Sequence, residues 1–440
     1  MGKVLVLGAG MVSKPLVQYL LNKNEDVVVA TRTVSKAKKI IGKHERGKAV
    51  KLDISKDKKL LNELISDSDI VVSLLPYVFH VEVAKSCIKN GKHMVTTSYV
   101  SEDMMDLDES ARNSDIIILN ECGLDPGIDH MSAMKIIHDI EKKNGKILSF
   151  KSTTGALPSH EANNNPFGYK FSWSPKGVLL ASRNSAKWLE NDEIVSIPGE
   201  KLFENYILQD VPEVGSFENY PNRDSTKYKK IYGLNDAYTV YRGTFRMVGW
   251  CETMKAIAEI GWLKDKKPKN FTGESYADLT RYLLNLDDSD GLEEKIAEKL
   301  GLKPYSAVIK RLKWLGLFSD ISLPEGKNTP LDYLNILTLE KMPLEKNERD
   351  MVVMHHEFIA DFSDTKKYVT STLVNYGIPQ GDTAVARTVA LPAAIAVKMI
   401  LDGKIKRRGV LRPVEQDVYA PILKELEKMD IKFEEKEKNI

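Results

Sequence analysis

Residues 3–21, KVLVLGAGMVSKPLVQYLL, decide the fold of the amino-terminal part of this chain. Four apolar residues run straight into Gly8-Ala9-Gly10, and apolar residues at helical spacing follow from Leu16. A buried strand, a glycine turn and a helix N-terminus form an anion site, because backbone N–H groups and the helix dipole face whatever lies over the turn. Gly8 permits the tight turn, and Gly10 lets a pyrophosphate approach the backbone. The stretch therefore predicts a dinucleotide site, with a plain packing motif as the alternative.

The composition is that of an ordinary globular protein of several domains. The chain has 440 residues, of which 42% are hydrophobic and 29% are charged, and its net charge is +2. This balance argues against nucleic acid or a membrane as the main partner. The three cysteines form no CxxC pair, and no His/Cys cluster has metal-ligand spacing. We expect a cytoplasmic protein without a bound metal.

Strands and helices alternate over the first 122 residues. Short apolar, β-branched runs indicate strands at 4–7, 27–31, 49–54, 70–75, 93–98 and 116–120. Helical patterns lie between them, for example at 81–89 and 103–112. This order predicts a doubly wound parallel sheet that is covered on both faces.

The residues after the second strand indicate which dinucleotide binds. Enzymes that prefer NAD usually carry Asp or Glu here to hold the ribose 2′-hydroxyl. This chain instead offers Thr31-Arg32-Thr33, whose guanidinium and hydroxyl groups suit a 2′-phosphate. The pattern favours NADP over NAD, and a solvated loop arginine is the alternative.

Polar residues follow several other predicted strands, at the edge where open α/β sheets bind ligands. Ser73 and Tyr77 flank the end of the fourth strand, and Thr97, Ser98 and Tyr99 end the fifth. Asp53 closes the third strand, where it flanks an adenine or caps a turn. The sixth strand leads into residues 120–130, NECGLDPGIDH, which carry carboxylates and a histidine among turn formers.

The rest of the chain predicts a second α/β domain with a helical insertion. A helix at 131–140 and a strand at 147–153 precede a polar loop at 155–175, whose aromatic residues argue for order. Helical patterns fill 251–342, and two strands at 350–361 and 367–375 rejoin the second sheet. A long apolar helix at 384–401 and a final pattern at 422–433 are expected to return to the first domain and cover its sheet.

Arginines are the best candidates for binding an anionic substrate. Arg223 lies in NYPNRDST, and Arg242 and Arg246 flank Gly-Thr in YRGTFRMVG. Guanidinium groups clamp carboxylates through paired hydrogen bonds, and Thr244 adds a hydroxyl donor. A surface arginine is the alternative for each one taken singly.

The chain resembles the saccharopine reductase family, the NADP-dependent, L-glutamate-forming saccharopine dehydrogenases. The matching motifs include LGAGMVSKPL, VVVATRT, SLLPYVFH, HMVTTSYVS, NECGLDPGIDH, YPNRDST, RGTFR and RGVLRP. The resemblance implies a Rossmann domain (1–124 plus 385–440), an α/β substrate domain (125–250 plus 350–384) and an all-α insertion (251–349). It implies interconversion of saccharopine with glutamate and 2-aminoadipate 6-semialdehyde, by hydride transfer at a CH–NH group, in lysine biosynthesis.

The resemblance also implies site residues. The cofactor would contact the glycine turn, the ends of several strands and one distant serine: Gly8, Ala9, Gly10, Met11, Val12, Thr31, Arg32, Thr33, Asp53, Ile54, Leu75, Thr97, Ser98, Leu124, Asp125, Pro126 and Ser174. Saccharopine would contact Ser98, Tyr99, Asp125, Arg223, Thr244, Phe245 and Arg246. Tyr99 and Asp125 have the chemistry to shuttle protons and are the catalytic candidates.

The sequence departs from the family in two places. Thr154-Gly155-Ala156 stands where the family commonly has Cys-Gly-Gly, and the loop that follows, Leu157 to Glu161, is also altered. Met247 to Trp250 stands where the family usually has Tyr-Gln-Gly-Phe. Three alternatives therefore stay open: an NAD-dependent catabolic enzyme, a related imine reductase such as carboxynorspermidine dehydrogenase, and a nucleotide-sensing protein without activity. Small molecules are the expected partners, and a homodimer is left open.

Overall fold

The structure, a computed structural model, describes residues 2–269, 271, 273–286 and 291–440. The chain forms two compact units. The first comprises the chain up to Lys146 with Phe362–Thr365 and Ser371–Lys436. The second comprises Ile147–Asp361, Lys366–Thr370 and Glu437–Ile440. The three domains predicted from the sequence, with their boundaries, stay a prediction.

The first unit contains a parallel sheet of seven strands. They are β1 (Lys3–Leu7), β2 (Asp26–Thr31), β3 (Gly47–Lys51), β4 (Ile70–Ser73), β5 (His93–Thr96), β6 (Ile117–Leu119) and β15 (Gly409–Leu411). The strand order is β15-β6-β5-β4-β1-β2-β3, which contains the Rossmann order. The order in which the chain adds strands to the sheet reverses between β1 and β4, although these strands are parallel. The β-branched and leucine side chains of β1 and β4 are buried, because helices cover both faces.

Nine α-helices belong to the described part of this unit. They are α1 (Ser13–Asn22), α2 (Val34–Ile41), α3 (Lys58–Ser66), α4 (His80–Asn90), α5 (Glu102–Met105), α6 (Asp108–Asn113), α7 (Ile128–Glu141), α15 (Ala384–Leu401) and α16 (Gln416–Glu427). Helix α15 packs on α1 and contacts β4 and β5, and α16 packs on α7. The carboxyl-terminal helices thus pack where the sequence predicted them.

Helix α15 has the length and composition of a membrane-spanning segment. Its 18 residues have a mean hydropathy of 1.7, and 78% of them are buried inside the fold. An apolar helix buried on all sides is equally typical of a protein core, and α15 has that position here.

The second sheet is mixed. Its strands are β7 (Lys146–Pro158), β8 (Ala186–Glu190), β9 (Glu193–Ile197), β10 (Ile207–Val211), β11 (Gly215–Pro221), β12 (Thr239–Arg246), β13 (Asp350–Phe362), β14 (Thr365–Tyr376) and β16 (Phe433–Asn439). The main order is β10-β11-β12-β7-β13-β14-β16, and β8 pairs with β12 and β9. Strands β13 and β14 rejoin this sheet as the sequence predicted.

The helices of the second unit form its apolar core together with the loop after β7. They are α8 (Pro175–Ala181), α9 (Lys227–Ile231), α10 (Trp250–Ile260), α11 (Tyr276–Leu284), α12 (Leu292–Lys299), α13 (Ala307–Leu315) and α14 (Pro330–Lys341). Trp250, Trp262 and Tyr276 are among the largest fully buried side chains. Phe167, Tyr169 and Phe171 of the loop join them, so the predicted order of this aromatic loop is confirmed.

Two predictions of secondary structure need correction, and several strands were missed. The single helix predicted at 103–112 is two helices, α5 and α6, and each begins with acidic residues that favour a helix N-terminus. The loop predicted from residue 155 begins later, because β7 continues to Pro158 beside β12 and buries Leu157. The sequence interpretation also missed β15, a strand of three residues, and five strands of the second sheet: β8, β9, β10, β11 and β16.

Candidate active site

The glycine turn after β1 has the geometry that a phosphate needs. Gly8 has φ +110°, and a Cβ on it would lie 3.0 Å from the backbone oxygen of Leu74. A Cβ on Gly10 would meet no atom within 4 Å, so the space over this residue is open. The Gly10 N–H donates to Ser13 Oγ over 3.0 Å, and the buried Ser13 begins α1. The turn therefore fits a pyrophosphate that approaches the backbone at Gly10.

The predicted cofactor residues of the first unit lie at the carboxyl ends of its strands. Thr31 ends β2, and the exposed Arg32 and Thr33 follow it. The other members are in loops that directly follow β3, β4, β5 and β6: Asp53, Ile54, Leu75, Thr97, Ser98, Leu124, Asp125 and Pro126. This edge is where Rossmann folds bind their ligands.

Two of the predicted cofactor residues have local structural partners. Asp53 Oδ1 accepts the Ser55 N–H over 3.1 Å and so caps the turn after β3. Ser174, in the second unit, is the N-cap of α8, and its Oγ accepts the Gly177 N–H over 3.2 Å. The turn and cap explain why these residue types occur there, whether or not a nucleotide binds.

The two catalytic candidates contact each other. The Tyr99 hydroxyl donates to Asp125 Oδ1 over 2.7 Å, although 26 residues separate them in sequence. Tyr99 follows β5, and Asp125 lies in the loop between β6 and α7, next to a cis bond to Pro126. Both side chains are partly buried. This pair places a proton donor and a carboxylate at one point of the ligand-binding edge.

His80 is a residue of this edge that the sequence interpretation missed. Its Nδ1 lies 2.9 Å from Ser73 Oγ, and its Nε2 lies 2.8 Å from the hydroxyl of Ser98. Burial lowers the pKa of His80 to about 4, so the imidazole is neutral near pH 7. The imidazole therefore orients the predicted ligand residue Ser98. The feature of the sequence that could have identified His80 is its position at the start of the helix after the fourth strand.

Three of the predicted substrate residues of the second unit, Thr244, Phe245 and Arg246, share the end of β12. Alternation along the strand puts Thr244 and Arg246 on one face and Phe245 on the other. The Phe245 side chain is fully buried and packs 5.4 Å from the ring of Phe217. Any ligand contact of Phe245 on the Arg246 face is therefore limited to its backbone.

Arg246 is a buried cation in an aromatic cage. Its side chain is almost fully buried, and its guanidinium carbon lies 5.2 Å from the Tyr169 ring, 5.4 Å from that of Trp250 and 5.9 Å from that of Tyr220. Nη1 donates to the Phe245 carbonyl over 2.9 Å, while the buried Nε has no hydrogen-bond partner among the described residues.

No carboxylate among the described residues forms an ion pair with this guanidinium. Burial raises the pKa of Tyr220 to about 12, so its phenol stays neutral. Glu218 faces Arg246 across the strand pair, but its two carboxylate oxygens accept the N–H groups of Gly249 and Cys251, each over 2.7 Å. A buried guanidinium without a carboxylate partner is suited to binding the anion of a ligand.

The other two arginines have different surroundings. Arg242 is buried with its guanidinium carbon 4.4 Å from the Tyr228 ring, which gives it a packing role. Arg223 is exposed and has φ +53°, and its carbonyl accepts the Lys187 N–H. The Asn222 N–H donates to the Arg242 carbonyl, so Arg223 lies near the Arg242 end of β12. Arg242 and Arg246 are about 13 Å apart along the strand.

One departure from the family pattern lies on the Arg246 face. Thr154 of β7 pairs with Thr244 of β12, so the two hydroxyl side chains are neighbours on the sheet. Thr154 Oγ1 is buried without a hydrogen-bond partner in the described part of the chain. A buried hydroxyl beside Arg246 is therefore available to a ligand.

Two family models cover most of the sequence. The saccharopine dehydrogenase NADP binding domain matches residues 4–119, and the saccharopine dehydrogenase C-terminal domain matches residues 123–431. The chain belongs to the saccharopine dehydrogenase family. The family resemblance is thereby confirmed, and with it the oxidoreductase class and NADP as the cofactor.

Two relatives with curated names match over nearly their whole length. The chain is 40% identical to the saccharopine dehydrogenase (NADP+, L-glutamate-forming) of Saccharomyces cerevisiae and 39% identical to that of Schizosaccharomyces pombe, with 99% of each chain covered. It is 35% identical to the mitochondrial alpha-aminoadipic semialdehyde synthase of Bos taurus, of which it spans 47%.

Solved structures support the fold. The apo saccharopine dehydrogenase (L-Glu forming) of Saccharomyces cerevisiae has a TM-score of 0.90 at 38% identity, with 100% of both chains covered. The homospermidine synthase of Legionella pneumophila has a TM-score of 0.61 at 11% identity over 99% of this chain and 91% of its own, which shows the fold alone. The predicted α/β fold class is confirmed, and the individual site residues stay predictions.

Proposed function

We propose that this protein is an NADP-dependent saccharopine reductase of lysine biosynthesis. It interconverts L-saccharopine with L-glutamate and L-2-aminoadipate 6-semialdehyde and acts on a CH–NH group. The near-complete match to relatives of that name supports the proposal. The structural observation that carries it is Arg246, whose buried guanidinium has no carboxylate partner in the described part of the chain and suits one from the substrate.

The spacing of the guanidinium groups suits a substrate with several anionic ends. Saccharopine carries a carboxylate at one end and two more near the other. Arg246 binds one carboxylate with help from the Thr244 hydroxyl, and Arg223, at the opposite end of the strand pair, is the candidate for another. This assignment gives the two arginines separate partners on one extended molecule.

The cofactor part of the proposal rests on the first unit. The open space over Gly10 accepts the pyrophosphate, and Arg32 with its flanking threonines binds the 2′-phosphate that distinguishes NADP from NAD. When bound, NADPH supplies the hydride that reduces the imine. The protein binds and orients the reactants and moves protons.

Proton transfer is the task of the Tyr99–Asp125 pair. Glutamate's amine adds to the semialdehyde carbonyl, and the carbinolamine must gain a proton on oxygen and lose one from nitrogen before water leaves. Asp125 is the acceptor and the Tyr99 hydroxyl the donor, and their 2.7 Å hydrogen bond lets a proton pass between them. His80 contacts the hydroxyl of Ser98, the residue before Tyr99, and fixes the direction of that hydroxyl.

One assay tests the proposal directly. Purified protein is mixed with NADPH, glutamate and the semialdehyde, and the nicotinamide absorbance is followed, with NADH and with carboxynorspermidine precursors in parallel. We expect turnover that requires glutamate and is faster with NADPH. Turnover with NADH alone would support the catabolic alternative, and NADPH binding without any turnover would support a sensor.

The proposal includes location and assembly. We expect the protein in the cytoplasm, acting on small molecules and not on nucleic acid or membranes. A homodimer is the assembly to test, and light scattering of the purified protein at several concentrations distinguishes it from a monomer.

A further inference from the structure

Glu121 binds the backbone on both sides of Tyr99. Its N–H donates to the Ser98 carbonyl over 3.0 Å, and its Oε1 accepts the Val100 N–H over 2.9 Å. One residue therefore fixes both peptide groups that flank the catalytic tyrosine. Glu121 is only 2% exposed, and it has φ +55°, a left-handed conformation that is unfavourable for a side chain of this kind.

The carboxylate of Glu121 has two side-chain partners, an imidazole and a guanidinium. Oε2 lies 2.7 Å from His130 Nε2 of α7, and Oε1 lies 2.9 Å from Nε of Arg412, the residue after β15. Burial by itself raises the pKa of this carboxyl, but His130, Arg412 and the Val100 N–H together lower it to about 2. Glu121 is therefore a carboxylate, and its hydrogen bonds are charge-assisted.

The same cluster reaches the loop that carries Asp125. His130 Nδ1 lies 3.7 Å from Asp129 Oδ2, and the other oxygen of Asp129 accepts the Gly127 N–H. Gly127 packs so closely that a Cβ on it would lie 2.1 Å from the Gly123 oxygen. Asp129 thus holds the backbone N–H of Gly127, two residues after Asp125, and lies against His130, which also contacts Glu121.

We propose that Glu121, His130 and Arg412, here called the clamp, set the geometry of the Tyr99–Asp125 hydrogen bond and are positioning residues for the reaction. The inference rests on the proposed function. None of the three is among the predicted ligand contacts. Each acts through the backbone of Ser98, Val100 or the loop before α7.

The energetics favour positioning over simple stabilisation. Burying a carboxylate and its cations costs desolvation energy that an apolar cluster of equal volume avoids. The clamp also joins parts of the chain that are far apart, since 291 residues separate Glu121 and Arg412. The hydrogen bond of the catalytic pair therefore depends on the docking of β15 beside β6.

The test compares two arginines of the same carboxyl-terminal segment. Arg412→Gln removes a cation of the clamp, and Arg408→Gln removes a more exposed ion pair of the same length, 2.9 Å from Arg408 Nε to Asp115 Oδ1. We expect Arg412→Gln to lower kcat by about 10- to 100-fold, the effect of a small misplacement of reacting groups. Arg408→Gln should keep the kcat of the wild type, and both variants should bind NADPH normally.

A second readout separates positioning from folding. Fluorotyrosine is incorporated into the protein, and the resonance of Tyr99 is assigned by its loss in Tyr99→Phe. This resonance should move in Arg412→Gln, stay in Arg408→Gln and partly return in Arg412→Lys. If Arg412→Gln does not fold, Glu121→Gln replaces it, because the amide keeps an acceptor for the Val100 N–H and removes the charge.

The outcomes are distinguishable from failure of the proposed function. A wild-type protein without reductase activity contradicts the function, and the Tyr99 resonance still tests the clamp. An Arg412→Gln protein with normal kcat and an unmoved Tyr99 resonance overturns the clamp. Equal losses in Arg412→Gln and Arg408→Gln also overturn it, because they indicate a general effect of the segment.

Discussion

Two buried charged residues in this protein differ in whether side chains of opposite charge pair with them. Glu121, in the first unit, has a histidine partner from α7 and an arginine partner from the chain after β15. Arg246, in the second unit, has aromatic faces and one carbonyl but no carboxylate partner among the described residues. A charge that the chain itself balances builds the scaffold, whereas a buried charge that the chain leaves unbalanced is suited to a ligand.

The cost of burial explains why this difference is informative. An ion taken out of water loses several kcal/mol unless hydrogen bonds and an opposite charge compensate it. The aromatic rings around Arg246 supply part of that compensation, about 2 kcal/mol for a desolvated cation over a ring. The remainder is available to a bound carboxylate, so the unliganded protein is preorganised for an anion.

Removing the unbalanced cation should give the largest effect on substrate binding. Arg246→Met keeps much of the apolar volume and deletes the charge. We expect kcat/KM for saccharopine to fall by about 30- to 5000-fold, or about 2–5 kcal/mol, because the substrate carboxylate loses its buried partner. Steady-state kinetics measure this loss.

Stability sharpens the same comparison. The unfolding free energy of Arg246→Met should stay within about 1 kcal/mol of the wild type or rise, since no carboxylate among the described residues loses an ion pair. Arg242→Met is the matched control on the same strand face, and its loss of contact with Tyr228 should lower stability without a selective effect on substrate. Normal kinetics in Arg246→Met would break the comparison.

A variant of His80 tests whether a neutral imidazole makes the hydrogen bonds beside the catalytic pair of the first unit. Its pKa is about 4 in the folded protein and 6.5 in the unfolded chain. As the pH falls from 6.5 towards 4, the unfolded chain binds a proton that the folded protein refuses, so His80 makes folding less favourable by up to about 3 kcal/mol. His80→Gln should remove this part of the pH dependence.

Urea unfolding at several pH values measures the effect. The difference in unfolding free energy between wild type and His80→Gln should be constant above pH 6.5 and should change in favour of the variant below it. A constant difference down to pH 4 would show that the imidazole titrates normally and does not hold Ser98 in neutral form.

The sequence predicted the fold well because its signals are local. The strand, glycine turn and helix of residues 3–21 appear as expected, and so do six strands of the first sheet, β7, β13 and β14 of the second sheet, and most of the helices. Local patterns failed where the structure depends on distant partners. Strand β15 has only three residues and forms because β6 offers it a free edge, and no periodicity marks so short a segment.

The full set of candidate site residues came from the family resemblance, and residue chemistry singled out Tyr99 and Asp125 among them. The contact between Tyr99 and Asp125 agrees with their shared assignment as catalytic candidates. Glu121 and Arg412 were not singled out, because their roles arise from a pairing across most of the chain. The difference between Arg242 and Arg246 was likewise invisible, since only packing shows which guanidinium has Tyr228 for a neighbour.

Arg32 gives a smaller effect, on cofactor choice. Unlike Arg246 it is exposed, so it does not need an anion for its own solvation. We expect Arg32→Ala to weaken NADPH binding by about 10- to 100-fold through loss of a charged hydrogen bond, with little change for NADH. Fluorescence titration with both nucleotides measures this, and an equal loss for both would contradict the assignment to the 2′-phosphate.

Thr154 gives the smallest effect and the finest test of the comparison. Its hydroxyl is buried without a partner in the described residues, whereas the hydroxyl of Thr153, on the opposite face of β7, accepts the Asn219 side-chain N–H over 3.1 Å. Thr154→Val should leave stability unchanged or slightly higher and raise the KM for saccharopine about fivefold, or about 1 kcal/mol, because a buried polar group reserved for a ligand contributes only when the ligand binds. Thr153→Val should do the reverse, since it leaves Asn219 unsatisfied and does not face Arg246. If both variants lose only stability, Thr154 has a structural role, and the proposed substrate contacts on this face of β12 are limited to Arg246 and Thr244.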